Sequence, residues 1–330
     1  MYYIRKPGVI RSLVILMGMF AVCFVSGLSS CSNSYLGQLA VGHFKIVHAS
    51  KPIKKVIESG EIDQLTVNCL ELVLEIREFA VRELALPDNK SFTVYSELSG
   101  QYPGWNVYAA PPFSLEPKTW CYPIAGCVVY HGFFDKTKAF NYAGKIEMKG
   151  YDVHVSPFTA YSTLGWFKDP ILSNHLKYDS IQLAALIIHE LAHQRFYYPD
   201  DSRVSESFAV TVERAGVLKW LKSIGSNEQV KIAELRWENE DRYVNDVLSY
   251  KKQLDSLYSS DLELVMMQSA KDSILDMAAM ELKTDSKKLN NAYFIPFNTY
   301  HSLVPRFMNY LDSCSGNFAE FYALIEELYH

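Results

Sequence analysis

The apolar positions of this chain follow two different periods, and the change of period marks its parts. Residues 35–60, opening Tyr35-Leu36-Gly37-Gln38-Leu39-Ala40-Val41-Gly42-His43-Phe44, predict a helix. Residues 64–86 predict a second. Leu65, Cys69, Leu72, Val73, Ile76, Phe79 and Ala80 recur there at the spacing of one helical face, and Pro87 stands just beyond. Across 90–160 the character changes to Tyr, Val, Phe, Gly and Pro. Ser91-Phe92-Thr93-Val94-Tyr95, Cys127-Val128-Val129-Tyr130 and Tyr151-Asp152-Val153-His154-Val155 read as short strands separated by turns. From about Ser180 the helical period returns. Strands grouped between helical stretches, and not alternating with helices, predict an α+β fold. No internal repeat and no long low-complexity linker interrupts it.

The first thirty residues follow neither period. Arg5, Lys6 and Arg11 form a positive start, and Ser12 to Gly27 is an apolar run, short for a membrane span. It ends in Leu28-Ser29-Ser30-Cys31, an aliphatic residue and two small residues before a Cys. That is the pattern of a bacterial lipoprotein signal, in which the Cys is acylated and becomes the new N-terminus. The alternatives are an uncleaved anchor or a plain secretory signal. The lipoprotein reading gives a signal peptide at 1–30, a lipid on Cys31 and a chain held to the membrane in the cell envelope. Ser32, where Asp would retain an enteric lipoprotein in the inner membrane, favours the outer membrane facing the periplasm. The remainder, 31–330, is expected to be one domain. Its parts are N-terminal helices at 31–87, a strand-rich subdomain at 88–178 and a helical catalytic half at 179–330.

Composition narrows the classes of function. The chain has 330 residues, 49% hydrophobic and 21% charged, enough to bury a substantial core. Its formal charge is −5; without the three basic residues of 1–30, 29 basic face 37 acidic residues, a charge of −8. No basic excess points to a nucleic-acid partner. With Cys31 committed to lipid, Cys69, Cys121, Cys127 and Cys314 remain in the folded part. Cys121 and Cys127 bracket the turn-forming Tyr-Pro-Ile-Ala-Gly and are candidates for a disulfide, the alternative being two buried thiols. No second close Cys or His pair accompanies them to make a zinc knuckle.

The chemistry sits in Ile181-Gln182-Leu183-Ala184-Ala185-Leu186-Ile187-Ile188-His189-Glu190-Leu191-Ala192-His193-Gln194. A helix this apolar all round is buried. His189 and His193, four residues apart, share one face, so both imidazoles can reach one metal ion. Glu190 adjoins the first of them. This is the pattern of a zinc-protease helix, with Glu190 as the base that takes a proton from a metal-bound water. A catalytic zinc needs a third protein ligand and an open position. Pro199-Asp200-Asp201-Ser202 breaks the helix and offers N-cap residues for the next one. Glu206, thirteen residues after His193, falls in the first turns of that second helix, among small neighbours that allow close packing. Glu213, two turns later on nearly the same face, competes with it as ligand, braces a ligand His from behind, or is an exposed carboxylate pairing with Arg214. Tyr161-Ser162-Thr163-Leu164-Gly165 is strand-prone and is a candidate edge that pairs with an extended substrate; an ordinary core strand is the alternative. Tyr300 and His301 are candidates for stabilising the oxyanion, with His154 and Tyr161 behind them.

His-Glu-Leu-Ala-His-Gln, followed by Ser-Glu-Ser-Phe-Ala and then Val-Glu, resembles the gluzincin-type zinc peptidases. Three further segments are similar to a narrower group, a bacterial family of predicted aminopeptidases with many lipoprotein members. They are Trp120 to Tyr130, Ala160 to Pro170, and Asn290-Asn291-Ala292 with Tyr300 and Val304-Pro305-Arg306-Phe307. His131 departs from the Arg expected after Tyr130. The resemblance spans about 35–330. It implies a zincin-like fold, in which a small strand-rich region packs on the helical half that carries the active-site helix. It further implies one Zn²⁺ per chain, a peptide or protein substrate and, more weakly, aminopeptidase activity. An endopeptidase acting on envelope proteins, or an inactive binding module that keeps the fold, are the alternatives.

Overall fold

The computed structural model describes residues 35–122, 126–160, 162–163, 168–199, 201–298 and 303–329. The chain divides into two compact units, Met1–His48 and Ala49–His330. That boundary falls inside the stretch expected to supply the N-terminal helices. Of the first unit, only the helix that starts at Tyr35 is described (α1, Tyr35–Ala49). Among the described residues no helix is long and apolar enough to cross a membrane.

The second unit is α+β. It begins with β1 (Lys51–Pro52), α2 (Ile53–Glu58) and α3 (Gln64–Glu83), the last capped by Asp63, whose side chain accepts from the Thr66 N–H. Then come β2 (Val94–Ser96), β3 (Gly104–Ala110), β4 (Trp120–Tyr122), β5 (Gly126–Val128), β6 (His131–Phe133), α4 (Lys136–Glu147), β7 (Asp152–Phe158) and β8 (Ile171–Leu172). The rest is helical: α5 (Ser180–Arg195), α6 (Ser202–Ser223), α7 (Asn227–Tyr258), α8 (Leu264–Glu281), α9 (Val304–Ser313) and α10 (Phe318–Tyr329). The strands form three small sheets, β1-β2-β8, β6-β3-β7 and the β4-β5 hairpin; the β2–β8 pairing is parallel. A disulfide joins Cys121 to Cys127 across that hairpin.

Two expectations are corrected. The strand-rich region contains a helix, α4, started by the Asp135 side chain on the Lys138 N–H. Its buried Ala139, Ala143 and Ile146 pack on β3 and β7 with Val107, Ala109, Phe133 and Val153. The pattern is faint in sequence because the buried stripe is mostly alanine, while Phe140 is half exposed and most of the remaining positions of KTKAFNYAGKIE are polar. Second, Ser162 and Thr163 are not in a strand, and the Thr163 N–H donates to the Asp169 side chain at 2.9 Å. Within 161–165 these two are the described residues. Tyr161, Leu164 and Gly165 lie outside the described residues.

One hydrophobic core gathers α3, α5, α6, α9 and α10. The helix α5 is buried on nearly every side, through Ile181, Leu183, Ala184, Ile187, Ile188, Leu191 and Ala192. Asp179 caps its start on the Gln182 N–H, and the Gln182 side chain answers on the Asp179 N–H. The chain then turns back and re-enters at α6, capped by Asp201. In that turn the Ser205 hydroxyl both accepts from the Tyr198 N–H at 2.9 Å and donates to the Tyr198 carbonyl at 3.0 Å. Gly216 lets α6 lie close to its neighbours: a Cβ there would stand 2.6 Å from Leu84 Cδ1 and 3.1 Å from Ile188 Cγ2. Gly216→Val is expected to destabilise the fold by about 1–3 kcal/mol through overpacking, read as a lowered thermal midpoint. An unchanged midpoint would mean that this contact gives way easily.

Candidate metal centre

The α5–α6 hairpin gathers the candidate ligands. His189 and His193 stand one turn apart on α5, with their rings edge to face and their Nε2 atoms 3.1 Å apart. Glu206, in the second turn of α6, places Oε2 3.5 Å from His189 Nε2 and 3.6 Å from His193 Nε2. A tetrahedral ion with bonds of about 2.0–2.1 Å holds its ligand atoms about 3.3–3.4 Å apart. The three edges bracket that value, so a single ion can touch all three atoms without rearrangement of the helices. Among the described residues these three form the cluster of His, Cys, Asp and Glu donors close enough to hold an ion. The His193 side chain is 9% exposed, His189 17% and Glu206 23%. The three side chains are thus set into the protein, each with a minor part exposed.

Glu213 stands behind His189. Its Oε2 lies 2.9 Å from His189 Nδ1, on the far side of the ring from Glu206. A carboxylate there accepts the Nδ1–H and leaves the Nε2 lone pair facing the triangle. The next residue, Arg214, is 9% exposed and makes a two-pronged pair with Asp241 of α7 at 2.7 and 2.8 Å. This pair ties α6 to α7 one residue past Glu213. The buried Nδ1 of His193 has no hydrogen-bond partner among the described residues, so only one of the two imidazoles is braced in this way.

The electrostatics follow from this packing. Burial alone would push the pKa of His189 down, but the carboxylates of Glu206 and Glu213 outweigh it, with Glu190 adding to them, and hold it well above the usual value. Burial likewise raises the carboxyl of Glu206; His189 and His193 outweigh it and hold that carboxyl well below the usual range. The pocket favours a positive charge at the centre of the triangle, the electrostatic counterpart of its geometry. Glu190 is half-buried on α5, close enough for its charge to act on His189.

Other candidates are placed differently. His154, on β7, faces Tyr293 edge-on at 5.1 Å and lies 6.3 Å from the Tyr108 ring, and burial pushes its pKa down to about 4. It belongs to an aromatic cluster in which the Tyr243 and Tyr293 hydroxyls hydrogen-bond to each other. Tyr300, His301 and Cys31 lie outside the described residues. Arg214 pairs with Asp241 and not with Glu213 as one sequence alternative had it, and sequence reasoning missed Asp241 and the buried Asp169, which receives Gln194 from the end of α5 at 2.8 Å. Asp169 and Gln194 do fall in segments that the motif reading singled out, but their pairing across 25 positions leaves no local pattern.

A family model described as "Putative aminopeptidase" matches residues 34–330. No curated protein and no solved structure matches the chain.

Proposed function

Since the chain belongs to this putative aminopeptidase family, we propose that it is a zinc-dependent peptidase, acting as an aminopeptidase from a zincin-like scaffold of the gluzincin kind. The observation that carries the reading is the triangle of His189 Nε2, His193 Nε2 and Glu206 Oε2 with Glu213 behind His189. Two imidazoles and one carboxylate form a donor set suited to catalytic zinc. Zinc held there would lower the pKa of a coordinated water and polarise the scissile carbonyl.

The remaining steps belong to the protein. His189, His193 and Glu206 would hold the ion. Glu213 keeps the His189 ring in the tautomer that presents Nε2. Glu190 takes the proton from the attacking water and delivers it to the departing amine, so one carboxylate serves as base and then as acid. Burial of α5 keeps these groups fixed, so little rearrangement is needed as charge develops.

The test of substrate class is a library of peptides with free and with blocked N-termini, read by mass spectrometry. Stepwise loss of N-terminal residues from the free peptides alone is the expected result. Internal cuts in both sets would show an endopeptidase, and no cleavage by zinc-loaded protein would overturn the reading.

The location follows from a different part of the chain. We propose that Cys31 carries lipid and holds the enzyme to the envelope, in bacteria at the outer membrane. The Leu28-Ser29-Ser30-Cys31 pattern supports this, and so does the Cys121–Cys127 disulfide, a bond that persists in oxidising compartments. Full-length protein made in cells fed a tagged fatty acid is expected to incorporate the tag, and Cys31→Ala is expected to carry none. Equal labelling of the two would remove Cys31 from the anchoring.

A further inference from the structure

Beside the metal triangle lies a second group of polar side chains, centred on the buried Asp169 and Ser91, that the reaction above does not use. Gln194 follows Glu190 by four residues and so stands one turn along the same face of α5. Its Nε2 donates to Asp169 Oδ2 at 2.8 Å and to Ser91 Oγ at 3.2 Å, while its Oε1 accepts from Asn89 Nδ2. Asp169 is 1% exposed. Its Oδ1 receives the Thr163 N–H at 2.9 Å and the Thr163 hydroxyl at 2.6 Å, and its Oδ2 also receives the Ser162 hydroxyl at 3.2 Å. A carboxyl group this deep costs several kcal/mol to bury unless its oxygens are well supplied with donors. Here three donors come from the Ser162–Thr163 stretch and one from Gln194 on α5, so the group ties that stretch to the helix of the metal ligands.

The geometry points to Asp169 and Gln194 as positioning residues for the substrate. They hold Ser162–Thr163 against the α5 face that carries Glu190, where that stretch forms the wall along which a peptide backbone lies beside the base. This rests on the peptidase reading for its substrate class. The Thr163 N–H is committed to Asp169, so the stretch guides the peptide as a fixed wall, and that N–H does not serve as a strand partner.

The polarity of the pair allows a test by reversal. Asp169→Asn sets an amide donor against the Gln194 donor. Gln194→Glu sets two carboxyl groups together. With both changes the new amide donates to the new carboxylate, and Asn89 and Ser91 still have an acceptor. The experiment uses the zinc-loaded full-length chain, with zinc content and thermal midpoint measured for each variant. On active protein it reads kcat and KM for a free-N-terminus peptide. On a Glu190→Gln background it reads the Kd of the same peptide without turnover.

Each single change is expected to raise KM and Kd about tenfold, the loss of one buried hydrogen bond, with kcat and zinc content nearly unchanged. The double change is expected to bring both back to within about threefold of the parent. Unmoved Kd in the singles overturns the inference, as does a double variant no better than either single. Should a single variant not fold, Thr163→Val removes one bond from Asp169 at constant shape and is expected to raise Kd about threefold; no rise overturns the inference equally. A parent that hydrolyses no peptide but binds one through this pair removes the peptidase reading and keeps the positioning role. A parent that hydrolyses peptide with Kd indifferent to the pair does the reverse, and a parent that binds none overturns both.

Discussion

Glu190→Gln is expected to keep about one zinc per chain and to lower kcat by about 10²–10⁴-fold, the usual contribution of a positioned general base. The substitution keeps the shape of a half-buried side chain on a helix packed on nearly all sides, so the fold is expected to stay intact. It removes only the oxygen that can accept a proton from water. The three ligand atoms come from other residues, and their mutual distances do not depend on Glu190. Zinc content by elemental analysis, set beside turnover of a free-N-terminus peptide, separates the two effects. A variant that hydrolyses at the parental rate would remove Glu190 from the mechanism. A variant that loses zinc would mean that Glu190 holds the ion. Stripping the parent with a chelator and restoring it with zinc gives the reference for a fully metal-free chain.

The site is legible in sequence where its chemistry is local. His189, Glu190 and His193 lie within five residues, and helix geometry alone puts the two imidazoles on one face. The turn before α6 and the Asp201 cap also leave local traces, because helix ends demand particular residues. From these, a returning helix bearing Glu206 follows. What the sequence leaves undecided is which carboxylate of α6 faces the Nε2 atoms of the two histidines, since Glu206 and Glu213 are seven residues apart on one face. The tilt and closeness of two helices settle that, and these depend on contacts such as Gly216 against Leu84 and Ile188. The Arg214–Asp241 clamp and the Asp169–Gln194 pair are harder still. Each joins residues 25 or more positions apart, and an Arg or Asp in isolation reads as surface charge. In the strand region, β2 and β8 pair through two residues each, too few for any period to show. The helix α4 is hidden for a related reason, since alanine contributes little to a hydrophobic pattern while packing well in a shallow interface.

The division of labour between the two α6 carboxylates gives the second large effect. Glu206→Ala is expected to leave two imidazoles and no third protein ligand, with zinc falling from about one per chain to near zero after dialysis and hydrolysis lost with it. Glu213→Ala is expected to keep zinc at saturating concentration but to weaken its affinity by about 10–100-fold, the usual cost of removing a ligand's orienting partner. The 2.9 Å contact to His189 Nδ1 is what that change deletes. Glu213→Gln separates orientation from charge, because its amide oxygen can still accept the Nδ1–H. Affinity close to the parent would show that holding the ring is the main service of Glu213. Affinity as poor as in Glu213→Ala would show that its negative charge matters more. Competition against a chromogenic zinc chelator reads all three variants on one scale. The opposite order, with Glu213→Ala losing zinc and Glu206→Ala keeping it, would exchange the two roles and break the triangle on which the peptidase reading stands.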